Sequence, residues 1–212
     1  MGKKRVFSWG GIVASAILIV FGIATIVIAV NGRSEVRKDI KQEAVVGSPD
    51  MTPKAIQAEA QKAGLKNITV PSCSVANQAI DTGQKAHCFA KYMRIHALEA
   101  TGGLTYAQMP RYATADGKGT NDAAAAVKDP KTGQPQDNGA RTVWINDTAL
   151  STALNTSYFA EQVSLFSIVM GIALLLTGIG FMVLCVRLLM PAEKVEHDVA
   201  RTSPDREKVA VA

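Results

Sequence analysis

Two long stretches without a charged residue, one near each end of the chain, limit what this sequence can fold into. Residues 7–30 and 163–186 are each 24 residues long, which gives about 36 Å of α-helix at 1.5 Å per residue. The hydrocarbon core of a bilayer is about 30 Å thick. Because apolar residues lie on every face of both helices, a soluble helix with one buried stripe is a poor match. The sequence predicts transmembrane helices at 7–30 and 162–188.

The first apolar run follows a short basic segment, MGKKR, as in a secretory signal. The run is longer than the roughly 7–15 apolar residues of a cleaved signal, so we expect a retained anchor preceded by a cytoplasmic segment at 1–6. The net charge of +5 is spread along the 212 residues, and no basic patch suited to nucleic acid is formed. We therefore expect membrane lipid as a partner and no nucleic acid.

The orientation of the chain depends on its cysteines, because basic residues flank the first run on both sides and the charge rule is ambiguous. Cys73 and Cys88 are the only pair between the runs, and Cys185 lies inside the second run. A disulfide between the pair would require an oxidising compartment. The sequence predicts a plasma-membrane protein with 31–161 outside the cytoplasm and both termini inside, including a disordered tail at 189–212. Two reduced thiols in a cytoplasmic loop are the alternative.

The segment between the runs has little to bury. Leu, Ile, Val and Phe make up 17 of the 114 residues from 34 to 147, a low share for a folded domain. A disulfide closing a loop of about 15 residues would contribute around 3 kcal/mol. The predicted fold is mainly α, with two transmembrane helices, helical stalks at about 33–44 and 147–161, and a small disulfide-stapled domain. An exposed loop at about 110–141 is rich in Gly, Pro, Asp and Asn.

Local patterns place two helices in this domain. Thr52 is a predicted N-cap followed by a proline, and Gly64 stands just past the end of that helix. The second helix is predicted at about 84–101, and Gly102 and Gly103 are the residues expected to stop it.

Two short segments are predicted to be extended. KNITV, at 66–70, has the β-branched composition of a strand and is stopped by a proline. VWIND, at 143–147, is predicted as an extended piece whose Asp147 caps the second stalk.

His96 and Glu99 lie on adjacent turns of the predicted second helix and could share a proton or a metal. His87 lies nine residues earlier, which at 100° per residue is the opposite face. The stronger interpretation is structural, because His96 continues the row of Phe89 and Met93 and lies near the helix C-terminus. We predict no catalytic residue and no metal ligand here, with His96, Glu99 and His87 as the candidates for the metal alternative.

Small residues recur on one face of each apolar run. They either let the two runs pack closely on each other or receive a helix of a partner. The residues concerned are Gly10, Gly11, Ala14 and Ser15 in the first run, with Gly171 and Gly178 in the second.

Over most of its length the chain resembles a family of actinobacterial two-span membrane proteins. The resemblance is carried by MTPKAIQAEAQKAGLK, PSC, CFAKYMRIHALEATGGLTYAQMPRY and WINDTALSTALNTSYFAEQVSLFSIVMGIALLLTGIGF. It implies two spans and an outside domain in the cell envelope. Members often carry the name of an aromatic ring-opening dioxygenase, which implies an iron(II) enzyme with two histidines and a glutamate as ligands. In this chain the candidates for those ligands are His96, Glu99 and His87.

Two functions follow as hypotheses. The first is an accessory or structural envelope protein whose outside domain binds a membrane or envelope protein, or a second copy of the chain, without a cofactor. The alternative is a non-haem iron dioxygenase, and iron is expected only in that case.

Overall fold

The structure, a computed structural model, describes residues 3–189 of the chain and the side chains of residues 9–188. The predicted cytoplasmic tail lies outside the described residues from position 190 onward, as do residues 1 and 2. The chain is mainly helical, as predicted. In the described residues the helices are α1 (Lys3–Gln42), α2 (Pro53–Lys62), α3 (Gly83–Ala100) and α4 (Gly139–Leu189). Isolated β-bridges join parts of the loops.

Helices α1 and α4 are long and apolar enough, by length and composition, to cross a membrane, and both predicted apolar runs are confirmed as helical. Neither helix ends where its apolar run ends. Helix α1 continues to Gln42 and α4 begins at Gly139, so the stalks continue the two apolar helices without a break, as expected.

The prediction of an extended segment at 143–147 was wrong, because these residues belong to α4. Asp147 is buried in this helix and faces Arg94 of α3, with Nη1 2.9 Å from Oδ2. The guanidinium of Arg94 also lies over the Trp144 ring, 4.4 Å from its centroid. These contacts outweigh the β-propensity of Val, Trp and Ile. The side chain of Asn138, which accepts from the Ala140 N–H at 3.1 Å, caps the helix.

Helices α2 and α3 begin at the same kind of cap. Thr52 accepts a hydrogen bond from the N–H of Ala55 at 3.2 Å, and Thr82 accepts one from the N–H of Lys85 at 3.3 Å. A threonine hydroxyl in this position satisfies an N–H that has no partner within the helix.

The residues expected to stop α3 follow its last turn directly. Gly102 and Gly103 have positive φ angles of 62° and 79°, a conformation that glycine adopts without a steric penalty. The N–H of Gly103 donates to the carbonyl of Leu98 at 2.7 Å, as in a left-handed C-terminal cap.

The small core of the domain surrounds Tyr92, which is fully buried together with Ile56, Val75 and Ile80. The disulfide between Cys73 and Cys88 is present, as predicted, and borders this core. The hydroxyl of Tyr92 donates to the carbonyl of Cys73 at 2.5 Å. Burial raises the pKa of the Tyr92 hydroxyl. The disulfide and the buried Tyr92 therefore both hold the chain at Cys73.

KNITV, expected as a short strand or an extended piece, is not a strand in the structure, because no neighbouring segment pairs with it among the described residues. Residues 66–72 follow α2 without regular structure, and Ile68 and Val70 pack partly against the core.

The loop predicted at 110–141 is irregular up to Asn138, and α4 begins at Gly139. Three bridges fold it on itself: Tyr112 with Thr120, Tyr112 with Asp137, and Lys128 with Pro135. Most of it is exposed.

The described residues form two compact units, 3–23 with 173–189, and 24–172. In the first unit, Gly11 and Gly178 allow α1 and α4 to approach closely. A Cβ at Gly178 would lie 2.8 Å from Ile19 Cγ1 and 3.0 Å from the Ser15 carbonyl oxygen. Part of the predicted small-residue face therefore packs the two helices on each other, whereas a Cβ at Gly10 would meet nothing within 4 Å.

Candidate functional site

Glu161 of α4 is the centre of a polar cluster that joins three helices. Its side chain is only 7% exposed. Oxygen Oε1 accepts hydrogen bonds from Nε of Arg33 at 3.0 Å and Nε of Arg37 at 2.7 Å, both on α1. Oxygen Oε2 accepts one from the backbone N–H of Gly83, the first residue of α3, at 2.6 Å. We call these four residues the Glu161 cluster.

The surroundings of Glu161 favour its charged form. Burial alone would raise the pKa of this carboxyl, but the N–H of Gly83 and the guanidiniums of Arg37 and Arg33 lower it below its ordinary value. The positive end of the α3 dipole acts in the same direction. Both oxygens are occupied by donors from the chain itself, so this carboxylate serves to hold helices together and is not placed to act as a general base.

The absence of a side chain at Gly83 is part of the cluster. A Cβ at this position would lie 2.8 Å from the Tyr158 Cα and 2.9 Å from Glu161 Oε2. Glycine therefore lets the N-terminus of α3 reach the carboxylate on α4.

A second polar group surrounds His96. Its Nε2 lies 3.1 Å from Oδ2 of Asp50, and its Nδ1 lies 3.7 Å from Oε2 of Glu99. Glu59 of α2 adds a third carboxylate, and one donor atom from each of Asp50, Glu59 and His96 lies within 4.8 Å of the others. We call Asp50, Glu59, His96 and Glu99 the His96 group.

The His96 group has donors of the kind that bind divalent transition metals, an imidazole and carboxylates. The contact with Asp50 has ion-pair distance but lacks hydrogen-bond alignment, so the buried Nε2 atom has no hydrogen-bond partner among the described residues. Burial raises the pKa of Asp50, yet the hydroxyl of Ser48, a backbone N–H and His96 together lower it below its usual value. His96 thus contacts acidic groups from other elements and does not simply extend the Phe89 and Met93 row.

His87 takes no part in the His96 group. Nine residues of helix separate the two histidines, or roughly 13 Å along the axis. The ring of His87 stacks on Tyr158 with centroids 4.5 Å apart, and its Nδ1 lies 2.6 Å from Oδ1 of Asn155. The structure brings His96 and Glu99 together, as their spacing implied, but places His87 elsewhere.

Two grooves of ligand-binding size flank α3 within the unit formed by 24–172. One, of about 570 Å³, lies between α3 and residues 66–72. The other, of about 550 Å³, is lined by apolar side chains of α1, α3 and α4, including Ile40, Phe89, Met93 and Leu154, with the carboxylates of Asp39 and Glu43 beside them.

The sequence interpretation missed the Glu161 cluster and the pair formed by Arg94 and Asp147. One signal was available for the first of these. Glu161 is the only acidic residue from 148 to 192 and stands two residues before the second apolar run, where a charge is costly unless it is paired.

Comparison of the chain with protein-family models, with curated proteins and with solved structures gives no match.

Proposed function

We propose that the chain is an integral protein of the plasma membrane that crosses the bilayer twice, with both termini in the cytoplasm. Residues 31–161 would then form an interaction domain outside the cytoplasm, and the protein would act as an accessory or structural component of the cell envelope. Membrane lipid surrounds the two spans, and the partner of the domain is a membrane or envelope protein, or a second copy of the chain.

One observation carries this proposal. Both apolar helices continue without a break into the segment that contains the disulfide. The Glu161 cluster joins the two helices in sequence positions that directly follow one apolar run and precede the other. A domain joined to two membrane helices is suited to bind a partner at the membrane. The disulfide favours the oxidising side of the membrane.

The resemblance to actinobacterial two-span proteins supports the same layout. From the same resemblance we propose that the protein lies in the cell envelope of an actinobacterium. The Glu161 cluster does not favour catalysis, because its carboxylate is fully engaged by groups of the chain.

Topology is tested by labelling intact cells with a maleimide that cannot cross the membrane. In the native chain Cys73 and Cys88 are bonded, so a single added cysteine is the principal target. Asn121→Cys, in the exposed loop, is expected to be labelled directly. Ser203→Cys is expected to be labelled only after the cells are permeabilised. Labelling of Ser203→Cys in intact cells, or protection of Asn121→Cys, would reject the proposed orientation.

The interaction role is tested by native mass spectrometry after extraction in a mild detergent. We expect to detect a complex of the chain with a second copy or with a defined envelope protein. Chemical crosslinking in host membranes should give the same complex. A single monomeric species with nothing bound, from cells in which crosslinking also yields no adduct, would reject the interaction role.

The alternative function is the ring-opening dioxygenase named by the resemblance, and the His96 group is the observation that bears on it. The residues do not fit the expected ligand set, because His87 and His96 do not converge and the second histidine is missing from the group. Metal analysis of the purified chain separates the two functions. Stoichiometric iron that is lost in His96→Ala and retained in His87→Ala would favour the enzyme, and iron absent from all three proteins would reject it.

A further inference from the structure

The groove between α3 and residues 66–72 has a lining of mixed character. Its volume of about 570 Å³ falls within the range of roughly 300–1,000 Å³ typical of ligand sites. Apolar side chains supply part of the lining, among them Ile68, Val70, Ile95 and Leu98. We call this feature the Lys91 groove.

The charges along the Lys91 groove all have one sign. Lys66, Lys91 and Arg94 line it together with His87, and no carboxylate is among the lining residues. Arg94 is held by Asp147. Lys66 and Lys91 are exposed and form no ion pair with any residue in the range 9–188. Two lysines are thus available to an acidic partner, and such complementarity provides specificity and faster association.

One wall of the groove is a stretch of main chain without partners. Within the described part of the chain, the main-chain groups of residues 66–72 make no hydrogen bond to backbone or side chain. Pro71 has no N–H, so the free donors lie at the other six positions. The stretch is nevertheless fixed at both ends. The N–H of Leu65 donates to the Ala60 carbonyl at 2.9 Å, and Cys73 is bonded to α3 through the disulfide. A wall held in advance loses less entropy when a ligand binds.

We infer that the Lys91 groove binds an extended, acidic segment of a partner polypeptide. The main chain of the segment pairs with the free N–H and carbonyl groups of residues 68–70, because Asn67, with a φ of 59°, interrupts any extended backbone before them. The carboxylates of the segment bind Lys66 and Lys91. Addition of an extended peptide to an unpaired stretch of backbone is a recurrent mode of recognition, and carboxylate to lysine bonds are of the stronger, charge-assisted kind. This inference rests on the proposed function, since it names the class of partner that the domain would bind.

An extended peptide suits this wall better than other anionic partners do. A helix has already used its main-chain groups internally. A lipid phosphate supplies acceptors but no donors for the free carbonyls. Alternate side chains of an extended segment point to opposite sides, so one set can face the apolar lining while the other reaches the lysines.

The test uses the full chain in phosphatidylcholine nanodiscs and three fluorescent nine-residue probes with blocked ends. The first probe alternates Glu and Val, the second has Lys in place of Glu, and the third is the first with alternate amides N-methylated. Fluorescence anisotropy gives the dissociation constant, and hydrogen–deuterium exchange reports on residues 66–72. We expect the acidic probe to bind and to slow exchange there, and each of the other probes to bind at least about tenfold more weakly.

Variants of the chain supply the matched comparison. Lys91→Glu is expected to raise the dissociation constant of the acidic probe by about tenfold or more. Lys54→Glu makes the same charge change on the exposed surface of α2, outside the groove, and is expected to leave binding within about twofold. Both lysines are exposed, so both variants should fold.

Several results would overturn the inference. The first is equal binding of the acidic and the Lys probes, and the second is unchanged exchange at residues 66–72 when the acidic probe is bound. The third uses short-chain phosphatidylglycerol as the ligand in the same exchange measurement, and is stronger protection of residues 66–72 by this lipid than by the acidic probe. A partner crosslinked to the domain only at sites away from residues 66–72 would also reject the groove while leaving the proposed function in place. Protection by the probe with no partner found in host membranes would instead reject the proposed function alone.

Discussion

Arg37 of α1 and Glu161 of α4 lie 124 positions apart in sequence and form a partly buried ion pair, with Nε 2.7 Å from Oε1. The same oxygen accepts from Arg33, and the other oxygen accepts from the N–H of Gly83. One carboxylate therefore fixes α1, α4 and the start of α3 relative to one another. Other contacts also join α3 to α4, among them the pair formed by Arg94 and Asp147.

Replacing Glu161 with Gln should destabilise the domain. The substitution keeps the shape of the side chain but removes the charge that both guanidiniums face and leaves an amide N–H₂ near a donor. Hydrogen bonds to charged groups contribute about 1.5–3 kcal/mol each, and the arginines are partly exposed, so we expect a loss of about 2 kcal/mol in all. Thermal unfolding of the purified chain, followed by circular dichroism, measures it. Glu35→Gln removes an exposed carboxylate that pairs with Lys38 at 3.4 Å and should have almost no effect. Equal stability of the two variants would contradict the role of the cluster.

Stability should fall with acidification through the same group. The pKa of Glu161 is lowered in the folded chain, whereas a glutamate in the unfolded chain has a pKa of about 4.3. A group with a lowered pKa contributes stability that is present above the unfolded pKa and is lost as the pH falls through the folded pKa. The thermal midpoint of the native chain should therefore drop below about pH 4. The native chain and Glu161→Gln should converge there, while Glu35→Gln should follow the native curve. A constant gap between the native chain and Glu161→Gln down to about pH 2 would count against this assignment.

Removing the disulfide should cost the domain about 3 kcal/mol, because Cys73 and Cys88 are separated by 15 positions and the bridge limits the unfolded chain. The double variant Cys73→Ala/Cys88→Ala should melt at a lower temperature than the native chain. Reductant should lower the midpoint of the native chain to that of the variant and leave the variant unchanged. Cys185→Ala removes the free thiol and serves as the control that should still respond to reductant. A native midpoint that does not respond to complete reduction would contradict the prediction.

The features that could be predicted from the sequence are those that depend on neighbouring residues alone. The apolar runs determine α1 and α4 without reference to any other part of the chain. Thr52 and the proline after it start α2 because a cap satisfies N–H groups only a few positions away. The disulfide followed from the count of cysteines between the runs.

The features that could not be predicted depend on residues distant in sequence. VWIND has the composition of a strand, yet Arg94 of α3 pairs with Asp147 and covers Trp144, and the segment is helical. KNITV also has strand composition, but a strand requires a partner, and none pairs with it in the described range. Local spacing places His96 in the row of Phe89 and Met93. In the structure Asp50, before α2, and Glu59, in α2, also lie close to it. No local pattern shows such contacts.

The close approach of α1 and α4 in the unit formed by 3–23 and 173–189 can be tested with two glycines on α4. A side chain at Gly178 would collide with the backbone and side chain of Ile19, whereas a Cβ at Gly180 meets nothing within 4 Å. Overpacking of this kind costs about 1–3 kcal/mol. Gly178→Leu should therefore separate the helices, and Gly180→Leu should not.

An engineered disulfide reports the separation. A Cβ at Gly11 would lie 3.7 Å from the Cβ of Cys185, within the range of about 3.5–4.5 Å for a disulfide. Gly11→Cys should therefore form a bridge to Cys185 within one chain under mild oxidation, and intact-mass measurement after alkylation gives its yield. Adding Gly178→Leu should reduce that yield by more than about half, because misaligned cysteines do not bridge, and adding Gly180→Leu should leave it unchanged. Equal yields with the two leucines would mean that Gly178 does not determine the distance between the helices.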